Sequence, residues 1–212
     1  MPPRMVLPAH QARSRESLRK LLNAATEVLG QYGVEGATIP RIARRAGLTP
    51  GSVYRRFHDK DALLETAILE ILERQEETMK TTLAPMPGQV SLEAFSERLI
   101  SGMVDAYHTH AGLLRGMRQF VQSRAGTAFC KKVSALEAQH FQRAVELFLS
   151  YRDQIRHSNP RSAVSLGLMM VVGTLYQVVV WPTDRTEPKD LPRGDVLKHE
   201  LTRALLSYLT VV

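Results

Sequence analysis

The 212-residue sequence holds one cysteine, Cys130. No disulfide can form within the chain, which removes the small secreted scaffolds that depend on such bonds. Aromatic residues reach only 6%, with a single tryptophan, so aliphatic side chains must fill most of the core. No stretch of useful length alternates apolar and polar residues, and strands are not expected. The first ten residues, MPPRMVLPAH, carry no apolar run of the signal-peptide kind, and a cytoplasmic protein is expected. Catalytic signatures are missing too. Gly30, Gly33 and Gly36 follow no strand and make no dinucleotide fingerprint, and neither a P-loop nor a nucleophile elbow occurs. His108 and His110 stand two apart on an expected helix and do not share a face, with no cysteine or carboxylate cluster beside them, so no metal site is expected. The chain reads as a non-enzyme without cofactor. Cys130 has no activating base near it in sequence and reads as a buried small hydrophobe or as a redox-sensitive thiol.

What the chain does have is an uneven charge. Residues 1–60 hold 11 Lys/Arg against 4 Asp/Glu, whereas residues 61–212 hold 17 of each. The whole net charge of +7 therefore sits in the first 60 residues. A basic lobe on a neutral body is the footprint of a protein that binds a polyanion, although a solvated basic surface has the same composition.

Helical periodicity runs through almost the whole sequence. Leu18, Leu21, Leu22, Ala25, Val28, Leu29 and Tyr32 recur with a 3.6-residue period and predict a helix over 15–32, with Ser14 as N-cap and Gly33 as its stop. Thr38 opens a short helix to Ala46, which Gly47 ends. Thr49 with Pro50 opens another to about Phe57, and Asp59 caps a fourth reaching toward Lys80. A linker follows at 81–91. Later helices are expected at 91–109, 111–123, 127–155, 160–181 and 195–211, with a proline-rich loop at 182–194. The fold class is all-α. Residues 163–181, AVSLGLMMVVGTLYQVVVW, are long enough for a membrane span. Ser165, Thr174 and Gln177 interrupt them and the segment is solitary, so a helix buried on two sides, against its own core and a partner subunit, is preferred to a membrane role.

The informative segment is TIPRIARRAGLTPGSVYRRFHDKDALLE, residues 38–65. A helix-turn-helix needs two short helices meeting through a tight turn. Ala43 and Ala46 are small enough for close packing, Gly47 takes the turn, and Leu48 and Val53 plug the space between. The second helix is then pushed outward toward a major groove. Thr38, Arg41, Arg44, Thr49, Pro50, Gly51, Ser52, Tyr54, Arg55, Arg56 and Lys60 are the candidate DNA contacts. Gly51 and Ser52 allow close backbone approach at a helix start that favours phosphate. Arg55 and Arg56 can bond guanine edges in a bidentate manner, or can only position the backbone. Tyr54 can offer its hydroxyl to a phosphate or pack in the core. Lys60 lies in a first helical turn, where a cation is disfavoured unless a phosphate joins it; an exposed lysine costs little there.

These residues resemble the TetR family of bacterial transcriptional regulators over residues 14–70. The resemblance rests on the amphipathic first helix, Thr38, Ile42-Ala43, Ala46-Gly47, Gly51-Ser52-Val53-Tyr54, Phe57, Lys60-Asp61 and Leu63-Leu64. Arg56 stands where the family usually has histidine. The resemblance implies an N-terminal three-helix DNA-binding head, residues 1–60 with a short N-terminal arm, and a helical regulatory and dimerisation body, residues 61–212. It implies a repressor that binds a palindromic double-stranded DNA operator as a homodimer through its last two helices and is released by a small-molecule effector. The alternative is a ligand-independent nucleoid or structural DNA-binding protein.

Candidate effector-pocket residues are Met103, Tyr107, Met117, Phe120, Phe141, Phe148, Met169 and Trp181, with Arg115, Arg118 and His140 as possible polar anchors. Such pockets are mostly apolar with few polar groups, but simple core is the readier reading of each apolar candidate and a surface position that of each anchor.

Overall fold

The computed structural model describes residues 8–82, 90–181 and 191–210. The first seven residues of the expected arm, most of the linker (83–89) and most of the proline-rich loop (182–190) lie outside the described residues. Among those described there is no strand; the architecture is all-α, a helix-turn-helix head on a helical body.

Helix α1 spans Pro8–Gly36. It starts before the expected N-cap: Ser14 lies inside the helix, because nothing between Pro8 and Ser14 breaks it and proline is suited to a first helical position. Leu21, Leu22, Ala25, Val28 and Leu29 form its buried stripe. Tyr32 does not complete that stripe but is 47% exposed. Gly33 breaks the helix as expected, with φ 67° and ψ −175°, a conformation that favours glycine.

Helices α2 (Ile39–Ala46) and α3 (Pro50–Tyr54) form the helix-turn-helix. Helix α4 runs Lys60–Thr82, and Asp59 caps it, its carboxylate accepting from the Ala62 N–H at 2.8 Å. Leu63, Leu64, Ala67, Ile68 and Leu72 are buried on α4. They share one apolar cluster with α1, α2 and Val53. The cluster also takes in Met117 and Phe120 of α5 (Leu92–Gln122) and Phe129 and Val133 of α6 (Ala128–Leu149). Packing is thus continuous across residue 60, the boundary suggested by charge.

The expected pair 91–109 and 111–123 is one helix, α5, with a local departure at His110 (φ −111°, ψ 15°). The interruption is real but costs only one residue its helical geometry. Helix α6 ends at Leu149 and a short 3₁₀ turn, Arg152–Gln154, completes the expected 127–155 segment.

Helix α7 (Pro160–Leu175) widens into a π turn at Tyr176–Val180, where the Trp181 N–H reaches the Tyr176 carbonyl at 2.8 Å. Helix α8 is Gly194–Thr210. Pro160–Val180 has a mean hydropathy of 2.0 and is long and apolar enough to cross a membrane. Here its inner face, Ala163, Val164, Gly167, Leu168, Val171 and Leu175, is buried in a second apolar cluster with α5, α6 and α8. Its other face is open: Leu166 is 51%, Met169 59% and Met170 47% exposed. Within one protomer, burial on two sides is therefore half fulfilled. Cys130 is half-buried rather than buried.

Candidate nucleic-acid interface

The turn between α2 and α3 is closed by Gly47 in the left-handed region, φ 68° and ψ 32°. Its N–H reaches the Arg44 carbonyl at 3.2 Å, and the Leu48 N–H reaches that of Ala43 at 2.8 Å. These bonds use carbonyls that the end of α2 would leave orphaned. Val53 is fully buried and Ile42 and Ala43 with it; Leu48 packs against the same cluster. The plug expected from the sequence therefore holds α3 against α2 from beneath.

Thr49 caps α3. Its hydroxyl oxygen accepts from the Ser52 N–H at 3.3 Å, and the Ser52 hydroxyl donates to the Thr49 carbonyl at 2.6 Å. Thr38 has extended backbone at the start of α2 but makes no side-chain cap bond, and its side chain is exposed. Helix α3 ends at Tyr54, three residues short of expectation. Arg55 and Arg56 lie in the following turn, and Phe57 packs back on the head core.

Arg44, Thr49, Pro50, Gly51, Tyr54 and Arg55 are exposed. Tyr54, at 57%, is not a core aromatic. A Cβ on Gly51 would meet nothing within 4 Å, so this backbone is open to close approach.

Three basic candidates bond to other parts of the head, Arg41 and Lys60 half-buried and Arg56 exposed. The Arg41 guanidinium lies 4.2 Å from the Tyr32 ring centroid and donates to the Gly36 carbonyl at 2.6 Å. Arg56 donates to the Ser14 carbonyl and hydroxyl, both at 3.3 Å. The Lys60 ammonium donates to the Val34 carbonyl at 3.1 Å, just beyond the stretch where α1 remains regular. Arg45 pairs with Glu27. Sequence periodicity gave no sign of these partners; the closely spaced glycines 33 and 36 were the only hint that carbonyls there would need donors.

The eight pocket candidates do not converge. Met117 and Phe120 belong to the head cluster, where Phe120 meets Phe129 edge-on at 5.8 Å. Phe148 sits deep in the body with Phe95 and Tyr151. Met169 is exposed. Met103, Tyr107 and Phe141 pack at the margin of the body cluster, and Trp181 is half-buried. Tyr107 meets Tyr176 edge-on at 5.5 Å, with the Arg118 guanidinium 5.3 Å from the Tyr176 ring. Burial pushes both tyrosine hydroxyls up, keeping them protonated. Burial also raises the Glu137 carboxyl, against the opposing pull of Arg118 and His140. The Glu137 residue as a whole is exposed, so this group stands at the surface end of the cluster. Arg115 donates twice to the Val180 carbonyl, at 2.9 and 2.7 Å. His140 lies 3.6 Å from Glu76, both side chains 12% exposed. No group of three or more potential metal ligands occurs among the described residues.

Residues 21–67 match the family described as bacterial regulatory proteins, tetR family. The HTH-type transcriptional regulator BetI of Cronobacter sakazakii is 30% identical over 102 residues, covering 48% of this chain and half of that protein. BetI of Escherichia coli O139:H28 is 29% identical over 189 residues, covering 89% of this chain and 91% of that one. Among solved structures, the transcriptional regulator FadR of Bacillus subtilis, in complex with stearoyl-CoA, superposes with a TM-score of 0.62 at 17% identity over 91% of this chain and 97% of that one. The head, over residues 21–67, is thus that of the TetR family of bacterial transcriptional regulators, a DNA-binding helix-turn-helix, and the chain as a whole is similar to HTH-type transcriptional regulators.

Proposed function

We propose that the protein is a repressor that binds a palindromic operator as a homodimer in the cytoplasm and leaves it when a small molecule enters the body. The observation that carries this is the open rim of α3. Arg44, Tyr54 and Arg55 are exposed, on a lobe that carries all of the net charge. Thr38, Thr49, Pro50, Gly51 and Ser52 would join them as contacts to phosphates and base edges. Arg41 would act from beneath, holding the head rigid, while Arg56, exposed and bonded to Ser14, can also reach the DNA. Lys60 can do both, because an ammonium has three donors and Val34 takes one.

The exposed Leu166, Met169 and Met170 of α7 and Val196 of α8 support a homodimer through the last two helices. Contiguous exposed apolar side chains of this kind are typical of subunit contacts. Two-fold symmetry would then set two α3 helices on successive major grooves, about 34–36 Å apart. For the effector, the margin between α5, α6 and the π turn, with Met103, Tyr107, Phe141 and Trp181, offers apolar walls with a few polar groups. The FadR structure shows that this fold can hold an acyl-CoA elsewhere in the family. The regulators among its relatives support a regulator rather than an enzyme.

Selection of duplexes from a random library by the full chain tests the reading. The expected result is a two-fold symmetric motif whose binding is lost in Tyr54→Ala and Arg55→Ala. Uniform binding without a motif would instead favour the ligand-independent nucleoid protein.

A further inference from the structure

Residues 107–118 of α5 are gripped on two sides. On one side lies the head. A Cβ on Gly112 would fall 2.3 Å from the Gly30 carbonyl oxygen, and one on Gly116 would fall 3.0 Å from the Leu29 side chain. At Gly30 and Gly112 helices α1 and α5 thus meet backbone to backbone, with the Leu29 side chain filling the space beside Gly116. On the other side lies the π turn of α7. Arg115 forks its Nε and Nη2 onto the Val180 carbonyl, Tyr107 abuts Tyr176, and Arg118 covers the Tyr176 ring. His110, where α5 departs from helical geometry, falls between Tyr107 and Gly112.

A π turn holds one residue more than an α turn, and such turns recur at functional sites. Its last carbonyl, that of Val180, accepts from Arg115. A charged two-donor bond to that carbonyl is among the stronger hydrogen bonds available to it. Arg115 therefore ties the position of Val180 at the end of the wide turn to α5.

We infer that Arg115 is a positioning residue that couples the π turn of α7 to the seat of the DNA-binding head, through the rigid Gly30–Gly112 contact. The inference rests on the DNA-binding reading above. It predicts that DNA at the head and the packing at Val180 influence each other, since coupling between two sites is reciprocal.

Trp181, the only tryptophan, adjoins Val180 and reports on the turn. The test uses the full chain and a fluorescently labelled duplex selected by the protein itself, following label anisotropy and Trp181 emission together. Wild type is expected to change its Trp181 emission as the duplex saturates. Arg115→Met is expected to bind the duplex with an affinity altered about 5-fold or more, with Trp181 no longer responding. Arg115→Lys, which keeps the charge but loses the two-point fork, is expected to respond in part, and far-ultraviolet circular dichroism checks that each variant is folded. A saturating duplex that leaves wild-type Trp181 silent overturns the coupling, as does an undiminished response in Arg115→Met. If Arg115→Met does not fold, a full response in Arg115→Lys with unaltered affinity overturns it equally. Absence of any anisotropy change would overturn the DNA-binding reading itself, and with it this one.

Discussion

Arg44 and Arg55 in the head and Arg115 and Arg124 in the body are one residue type in opposite circumstances. The first two are exposed beside α3. In the body, Arg115 is spent on the Val180 carbonyl, and Arg124 pairs with Asp61 and Glu65 of α4 while its guanidinium lies 4.4 Å from the Phe120 ring. The body holds equal numbers of acids and bases and ties several of its charges into ion pairs between helices. The head leaves some of its charge exposed beside α3. The same residue type can therefore serve adhesion within a chain or adhesion to a polyanion, and the difference lies in whether a carboxylate or carbonyl is within reach.

That contrast can be broken at its joint first. Phe120 is fully buried and comes from a body helix, yet packs in the head cluster. Phe120→Ala is expected to cost about 3–5 kcal/mol in urea unfolding, and one cooperative transition should remain. Two separate transitions would mean that head and body are independent. The open arginines come next. Arg44→Ala with Arg55→Ala should leave stability within about 0.5 kcal/mol. A base-reading arginine should cost about 1–3 kcal/mol of operator affinity, and a phosphate contact should make the log–log salt slope shallower by about one. Thr49→Ala should cost about 1 kcal/mol through loss of the α3 cap, read as faster amide exchange at Ser52 and Val53 with little change elsewhere.

The smallest effect concerns pH. Burial raises the Glu137 carboxyl above the ordinary glutamate range, so the fold favours its protonated form. The ionised group costs nothing at pH values below that range. Its cost grows as pH rises from there through the raised value and is complete above it. Glu137→Gln should flatten this decline in melting temperature; an unchanged pH profile would show that the surrounding surface screens the group fully.

The head was legible because its signals are local. Gly47, Thr49 and Asp59 act on neighbours three or four residues away, and the periodicity of Leu21 to Leu29 reports a single face. The break near residue 110 was legible in the same way. The partners of Lys60, Arg41 and Arg56 were not, because long side chains choose among acceptors that only the crossing of α1 with α2 and α4 brings near. The pocket candidates scattered for a related reason. Met117 and Phe120 share a helix with Tyr107, but successive faces of that helix meet the head and the body, and periodicity does not say which face meets which. The early start of α1 was missed because Ser14 has the chemistry of a cap without the position of one.

The shared cluster under the head also bears on how such proteins can diversify. The floor beneath α1 and α4 is laid by Met117, Phe120, Phe129 and Val133, which lie far along the chain from the helix-turn-helix. Recombination at residue 60 or after α4 would join a head to a floor shaped for another one. A working chimera must therefore carry those four side chains along with its head.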